Sequence, residues 1–194
     1  MVIRDVNGEM VEGHPHSNGG GFVAETAHVD DTAYVGSEAE VYGKAWVSGE
    51  ARVYGKAWVS GEAEVSGKAR VYGEARVSGK ARVYGKARVY GKAGVSDEAW
   101  VSGEARVYGK AWVSGEARVY GKTKIPDGFN GATFSCNSWT ATVNEDFVQI
   151  GCHAKPVREW LSLTPEEALE MGLPKEFYKP YKAFLEMVLV AMEI

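Results

Sequence analysis

Arginine recurs with a fixed stride along the middle of this chain. Arg52, Arg70, Arg88 and Arg106 stand 18 residues apart, and Tyr54, Tyr72, Tyr90 and Tyr108 follow each of them by two. A guanidinium binds phosphate or carboxylate bidentately, and an aromatic ring offers a π-face to a base. Between Val65 and Gly94 the basic residues Lys68, Arg70, Arg76, Lys80, Arg82, Lys86, Arg88 and Lys92 accompany one acid, Glu74, in a chain of net charge −4. A local positive belt on an acidic protein points to an anionic partner. The competing reading is that neighbouring glutamates such as Glu50 and Glu104 neutralise the column, which then only keeps the strands soluble.

The stride comes from a shorter repeat. From Val23 to Val119 a valine recurs at every sixth position, Ile125 continues the phase, and a small residue, nearly always Ala, sits four after each valine. Residues 23–124 thus hold 17 six-residue units of the form Val-Tyr/Ser-Gly-Lys/Glu-Ala-Arg/Trp. So short and strict a period predicts a parallel β-helix, in which each short strand stacks on its equivalent one coil away. Gly supplies the φ > 0 of a type II turn, so Tyr-Gly and Ser-Gly are corners, with Asp97 the clear late exception. In Ala51-Arg52-Val53 alternation turns Ala and Val inward and Arg outward. Three sides close a triangle of 18 residues per coil, giving five to six coils and a prism about 27 Å tall at roughly 4.8 Å per coil.

Columns 18 apart define three faces. One carries Tyr34, Arg52, Arg70, Arg88, Arg106 and Lys124, with Tyr72 and Tyr90 in the adjoining corner. A second carries His28, Trp46, Glu64, Arg82, Trp100 and Arg118, and a third Glu40, Trp58, Arg76, Gly94 and Trp112. Arg52, Arg70, Arg82, Arg88, Arg106, Tyr72 and Tyr90 are the candidate anion-binding residues. Exposed Trp on flat faces suggests a protein interface, so Trp46, Trp58, Trp100 and Trp112 are candidate interface residues. Duplication is the alternative, since residues 45–63 and 99–117 are identical at an offset of 54, three whole coils.

The flanks read as caps. Residues 1–22 form an N-terminal cap, with a hairpin over 1–11 turning at Asn7-Gly8 and a glycine-rich lead-in loop through Gly19-Gly20-Gly21. His14 and His16 are too few to make a metal site. Residues 126–194 form a C-terminal cap, with strands over 132–143 and 147–152 joined as a hairpin. Thr164-Pro165-Glu166-Glu167 opens a short helix by a capping box. A second helix from about Lys175 contains Pro180 and an apolar set including Phe184, Leu185 and Leu189, which is expected to pack on the prism or on a second subunit. Cys152 and His153 are adjacent in a strand and point apart, so a structural cap is favoured over catalysis. Cys136 and Cys152 make no disulfide framework. With no leader or membrane-length segment expected, the reading is a cytoplasmic protein without metal or cofactor.

The unit, aliphatic at one position and small four later, resembles the hexapeptide-repeat left-handed β-helix family known from bacterial acyltransferases. That resemblance implies the left hand and a homo-oligomer, usually a trimer. This chain departs from it by placing Gly two after the valine rather than one. The phrases HPHSNGGGFV and GCHAKPVREW around the array look like a hexapeptide-repeat family common in phages and prophages. That resemblance implies a host-cell cytoplasmic setting and carries over no catalytic residues.

Three functions stay open. The first is a non-enzymatic binding protein capturing a negatively charged small ligand such as a nucleotide, by analogy with phage proteins that sequester host signalling nucleotides. The second is a protein-interaction or structural module, acting on a host protein or as an assembly scaffold. The third is an acyltransferase, disfavoured because His28 is the only His in the array and no loop interrupts the coils. Overall acidity and the short basic band argue against long nucleic acid.

Overall fold

The computed structural model describes residues 1–6, 8–121, 124–125, 130–136, 139–143, 148–150, 153–173 and 175–192. Within these, the side chains of Val6, residues 130–136 and 139–143, Gln149, Ala154, Phe177, Phe184 and residues 187–192 are outside the description. Eighteen short strands, from β3 (Phe22–Ala24) to β20 (Lys124–Ile125), wind through three parallel sheets, six array strands to each sheet. The protein is a parallel β-solenoid of about six turns, with short helices at its C-terminal side. Six rungs per face sit at the top of the five to six expected, because Phe22-Val23 and Lys124-Ile125 complete the first and last coils.

The core is a column of two residue types. Every Val from Val35 to Val113 and every Ala from Ala33 to Ala117 in the repeat is fully buried. Only side chains this small fit a prism three short strands around, and β-branched Val suits the extended positions. Outward residues pair with their equivalents 18 positions away, as in Arg70↔Arg52 and Arg70↔Arg88. Corner peptides also bond coil to coil, for example Lys68 N–H to Gly85 O at 2.7 Å and Lys86 N–H to Gly103 O at 2.7 Å.

Many corner glycines are required twice over, by backbone conformation and by the approach of the next coil. Gly73 has φ +77°, and a Cβ there would lie 3.0 Å from the carbonyl oxygen of Gly91 one coil on. Asp97 adopts φ 59° in the same role. Its carboxylate accepts from Gly115 N–H at 3.1 Å, so the side chain anchors the next coil in partial return for the strained backbone.

At the N-terminal end β1 (Val2–Val6) and β2 (Glu9–Pro15) form an antiparallel hairpin that extends the sheet of the third face through β3. The hairpin is longer than expected, because β2 continues through His14-Pro15 to pair with Phe22-Val23. The lead-in loop then folds onto the first coil: Gly21 N–H donates to Val35 O, Val35 N–H to Asn18 O, and the Asn18 amide to Ala33 O at 2.9 Å.

The C-terminal region departs further from expectation. Residues 132–143 are not one strand. β21 (Asn130–Cys136), β22 (Trp139–Val143), β23 (Val148–Ile150) and β24 (His153–Lys155) form an antiparallel meander, joined to the solenoid by parallel pairing of Trp112 with Asn130. A helix that periodicity does not reveal, α1 (Val157–Ser162), follows Pro156, and its Trp160 indole donates to Val148 O at 2.6 Å. α2 (Pro165–Glu170) carries the expected capping box, in which the Thr164 N–H holds the Glu167 carboxyl below its ordinary range. α3 (Lys175–Met192) packs on α1 and α2. Leu185 is buried to 3% exposure in a second core with Val148, Trp160, Leu173 and Tyr181. Phe184 and Leu189 lie outside the described side chains.

If coil contact and not φ alone makes the glycines necessary, Gly73→Ala will cost more than Gly115→Ala. Gly115 has φ +64° but open space beyond its Cβ position. Chemical denaturation is expected to show roughly 1–2 kcal/mol for Gly115→Ala and a larger loss for Gly73→Ala.

Candidate functional site

The first face places Tyr34, Arg52, Arg70, Arg88, Arg106 and Lys124 on six successive strands in unbroken register. Parallel strands lie about 4.8 Å apart, so the row has one cation at each such step from Arg52 onward. At its upper end the Arg52 guanidinium lies over the Tyr34 ring at 5.0 Å. The four-residue strands Arg52–Gly55, Arg70–Gly73 and Arg88–Gly91 carry Tyr54, Tyr72 and Tyr90 alongside the row.

Charge composition distinguishes this row from the corner columns, where cations and carboxylates share a column. Four corner lysines pair with carboxylates one coil away: Lys68 with Glu50 at 3.4 Å, Lys86 with Glu104 at 3.3 Å, Lys92 with Glu74 at 3.6 Å and Lys80 with Glu98 at 3.9 Å. Glu50 and Glu104 therefore pair with lysines in their own corner column and make no ion pair with the arginine column. Among the described residues, Arg70, Arg88 and Arg106 have no ion pair. Like charges on adjacent strands repel, so the row is a stretch of uncompensated positive potential.

The tyrosines beside it are occupied with one another. Tyr54 and Tyr72 stack at 4.9 Å between centroids, Tyr72 and Tyr90 at 5.0 Å, and Tyr90 and Tyr108 at 5.4 Å. The strand spacing falls within the range at which rings stack, so the backbone imposes the ladder. Both faces of Tyr72 and of Tyr90 are covered, which leaves them no open π-face for a base. Burial, and then the neighbouring Tyr54 and Tyr90, push the Tyr72 phenol above its ordinary value, while Arg88 and Arg106 pull it down.

The structure does not bring Arg82 to this row. It stands on the second face, with Glu64 at 3.5 Å and its guanidinium 5.3 Å from the Trp100 ring. The tryptophans are largely engaged within their own columns. Trp100 lies between Arg82 and Arg118, the latter at 5.0 Å, and Trp58 is covered by Arg76 at 5.0 Å. Trp46 tilts against His28 at 3.9 Å, and Trp112 lies so close to Gly94 that a Cβ there would overlap its ring. Trp46 and Trp112 still expose 49% and 37% of their surfaces, on different faces. Arg76 and Arg118 cover the Trp58 and Trp100 rings although neither is a candidate from sequence, and their 18-residue spacing from these tryptophans is the signal that indicates them. A shallow groove of about 370 Å³ lies among Lys80, Arg82, Glu98, Trp100, Glu116 and Arg118, with carboxylates interleaved among its cations.

Elsewhere, His14 is exposed and His16 is buried in the lead-in loop, its Nδ1 beside Asn18. His153 is half-buried in β24, and Cys152 and the Cys136 side chain lie outside the description. Among the described residues no three metal-ligating side chains cluster, and no helix is long and apolar enough to cross a membrane.

Residues 69–85 match the YdcK beta-solenoid repeat family. The match spans almost one coil and includes Arg70, Tyr72 and Arg82. It agrees with the solenoid architecture. No curated protein matches the chain.

The electrostatics of the row can be read from Tyr72. Its raised phenol pKa means that the folded state favours the neutral ring. The associated stability is therefore full below the unfolded value near 10.0 and is lost as pH rises through the higher folded value. In Arg88→Gln/Arg106→Gln the two lowering influences are removed, and ultraviolet titration of the phenols is expected to show Tyr72 ionising at still higher pH.

Proposed function

We propose that this is a non-enzymatic binding protein that captures a negatively charged ligand on the arginine row of its first face. The observation that carries this reading is the charge pattern: Lys68, Lys80, Lys86, Lys92 and Arg82 each have a carboxylate partner, while Arg70, Arg88 and Arg106 have none among the described residues. The corner columns mix cations with carboxylates, whereas this central column holds five cations, Arg52, Arg70, Arg88, Arg106 and Lys124, and no acid. A bound anion would relieve that repulsion and accept bidentate hydrogen bonds from the guanidinium groups. The phosphates of a nucleotide are suitable groups, with the phosphates rather than the base making the contacts. The cytoplasmic, phage-type setting rests on the cysteine usage and on the resemblance of the flanking phrases.

A second reading, contact with a host protein or another copy of the chain, is supported by the exposed rings of Trp46 and Trp112. It draws less on Trp58 and Trp100, whose rings are covered by arginines of the same chain.

Calorimetric titration with tripolyphosphate at low salt tests the first reading. Each charge-assisted hydrogen bond is worth about 1.5–3 kcal/mol, so Arg70→Glu/Arg88→Glu is expected to weaken binding by at least roughly a hundredfold. Unchanged affinity in that variant, with Lys80→Glu as the control for general charge, would remove the row from the function.

A further inference from the structure

The ligand class can be narrowed from the geometry, and the step rests on the anion-capture reading above. We infer that the row accommodates a thin, linear polyphosphate chain lying along the solenoid axis, rather than a compact nucleotide.

The cations do not converge. Arg52, Arg70, Arg88, Arg106 and Lys124 project from successive strands of one sheet, in register and one per coil. The row is about 19 Å long, four strand spacings of about 4.8 Å. A compact anion reaches two or three members of such a row, whereas a linear one reaches all five. The corner columns on either side mix both signs, Glu38, Lys56, Glu74, Lys92 and Lys110 after the tyrosines and Glu50, Lys68, Lys86, Glu104 and Lys122 before the arginines, so each adds only a small positive excess. The positive potential is therefore greatest along the row and narrow across it.

The aromatic neighbours argue against a base-bearing ligand. Binding of single-stranded nucleic acid draws on open rings on which bases stack, and here Tyr72 and Tyr90 are stacked on both sides by other tyrosines. The N-terminal end argues against a wide one. Residues 1–43 hold eight acids, Asp5 to Glu40, and one base, Arg4. A duplex broad enough to overhang that end would meet like charge, whereas a single chain on the row would not.

The test compares pyrophosphate, tripolyphosphate, size-fractionated longer polyphosphates, ATP and an oligothymidylate in equilibrium titrations at fixed low salt. Affinity is expected to rise with polyphosphate length until the chain spans the row and then to level off, with ATP no tighter than tripolyphosphate. Arg106→Gln, which interrupts the row before Lys124, should weaken the longest chain by about tenfold and leave tripolyphosphate nearly unchanged, with the unfolding midpoint confirming an intact fold. If tripolyphosphate binds and depends on Arg70 and Arg88 but length has no effect, the linear ligand is wrong and anion capture stands. If ATP or the oligothymidylate binds more tightly than polyphosphate of matching charge, the inference is overturned in favour of a base-reading site. If no phosphate compound binds, both fall.

Discussion

Everything on the surface of this solenoid is governed by the stacking of each strand on its equivalent 18 residues away. Parallel strands lie about 4.8 Å apart, so each outward side chain has a fixed neighbour above and below. Residue types that tolerate that distance from their own kind can form columns, and the others must be alternated or relieved. Tyrosine tolerates it, because the spacing lies in the stacking range of aromatic rings, and Tyr54 to Tyr108 form an unbroken ladder. Glycine exploits it, bringing corner backbones closer than any Cβ would allow, as at Gly43 against Gly61. Lysine and glutamate meet it by sharing columns, so that each of Lys68, Lys86 and Lys92 has a carboxylate one coil away.

Arginine on the first face obeys none of these solutions. Its column is homogeneous like the tyrosine ladder, but its members repel one another. The arginines of the other faces show what relief looks like within the same fold. Arg82 has Glu64 and the Trp100 ring, Arg76 has the Trp58 ring, and Arg118 has Trp100 from the other side. Those contacts settle the local charge or shield it with a π-face. Only Arg52, at the end of the first-face row, is covered in this way, by Tyr34 and more distantly by Tyr54.

The solenoid and its columns were legible in the sequence because one backbone period dictates both. The valine stride gives the strands, and multiplying it by three gives the faces, so the register Arg70↔Arg88 could be read before any coordinates. Which partner a side chain chooses was not legible. Glu50 is two residues from Arg52 and 18 from Lys68, and it goes to Lys68 because both extend from the same corner while Arg52 extends from the middle of a face. The tryptophans looked available for the same reason, since their covering arginines are set by side-chain direction. Outside the array no period helps. The six residues of α1 are too few to be stable alone, and they are held by Trp160 docking on Val148, a contact between segments that no local pattern announces. Leu185 likewise belongs to a core assembled from three helices and a strand.

The central claim is that the arginine row is uncompensated in the protein by itself. Its most direct test is the unfolding free energy of wild type and of Arg70→Gln/Arg88→Gln/Arg106→Gln as a function of ionic strength, in a buffer free of multivalent anions. The account predicts that the variant is the more stable of the two at low salt. The difference should shrink as salt approaches about 0.1 M, where the screening length falls to about 10 Å. A variant that is equal to or less stable than wild type at low salt would contradict it, because the row would then already be balanced by groups of the chain itself.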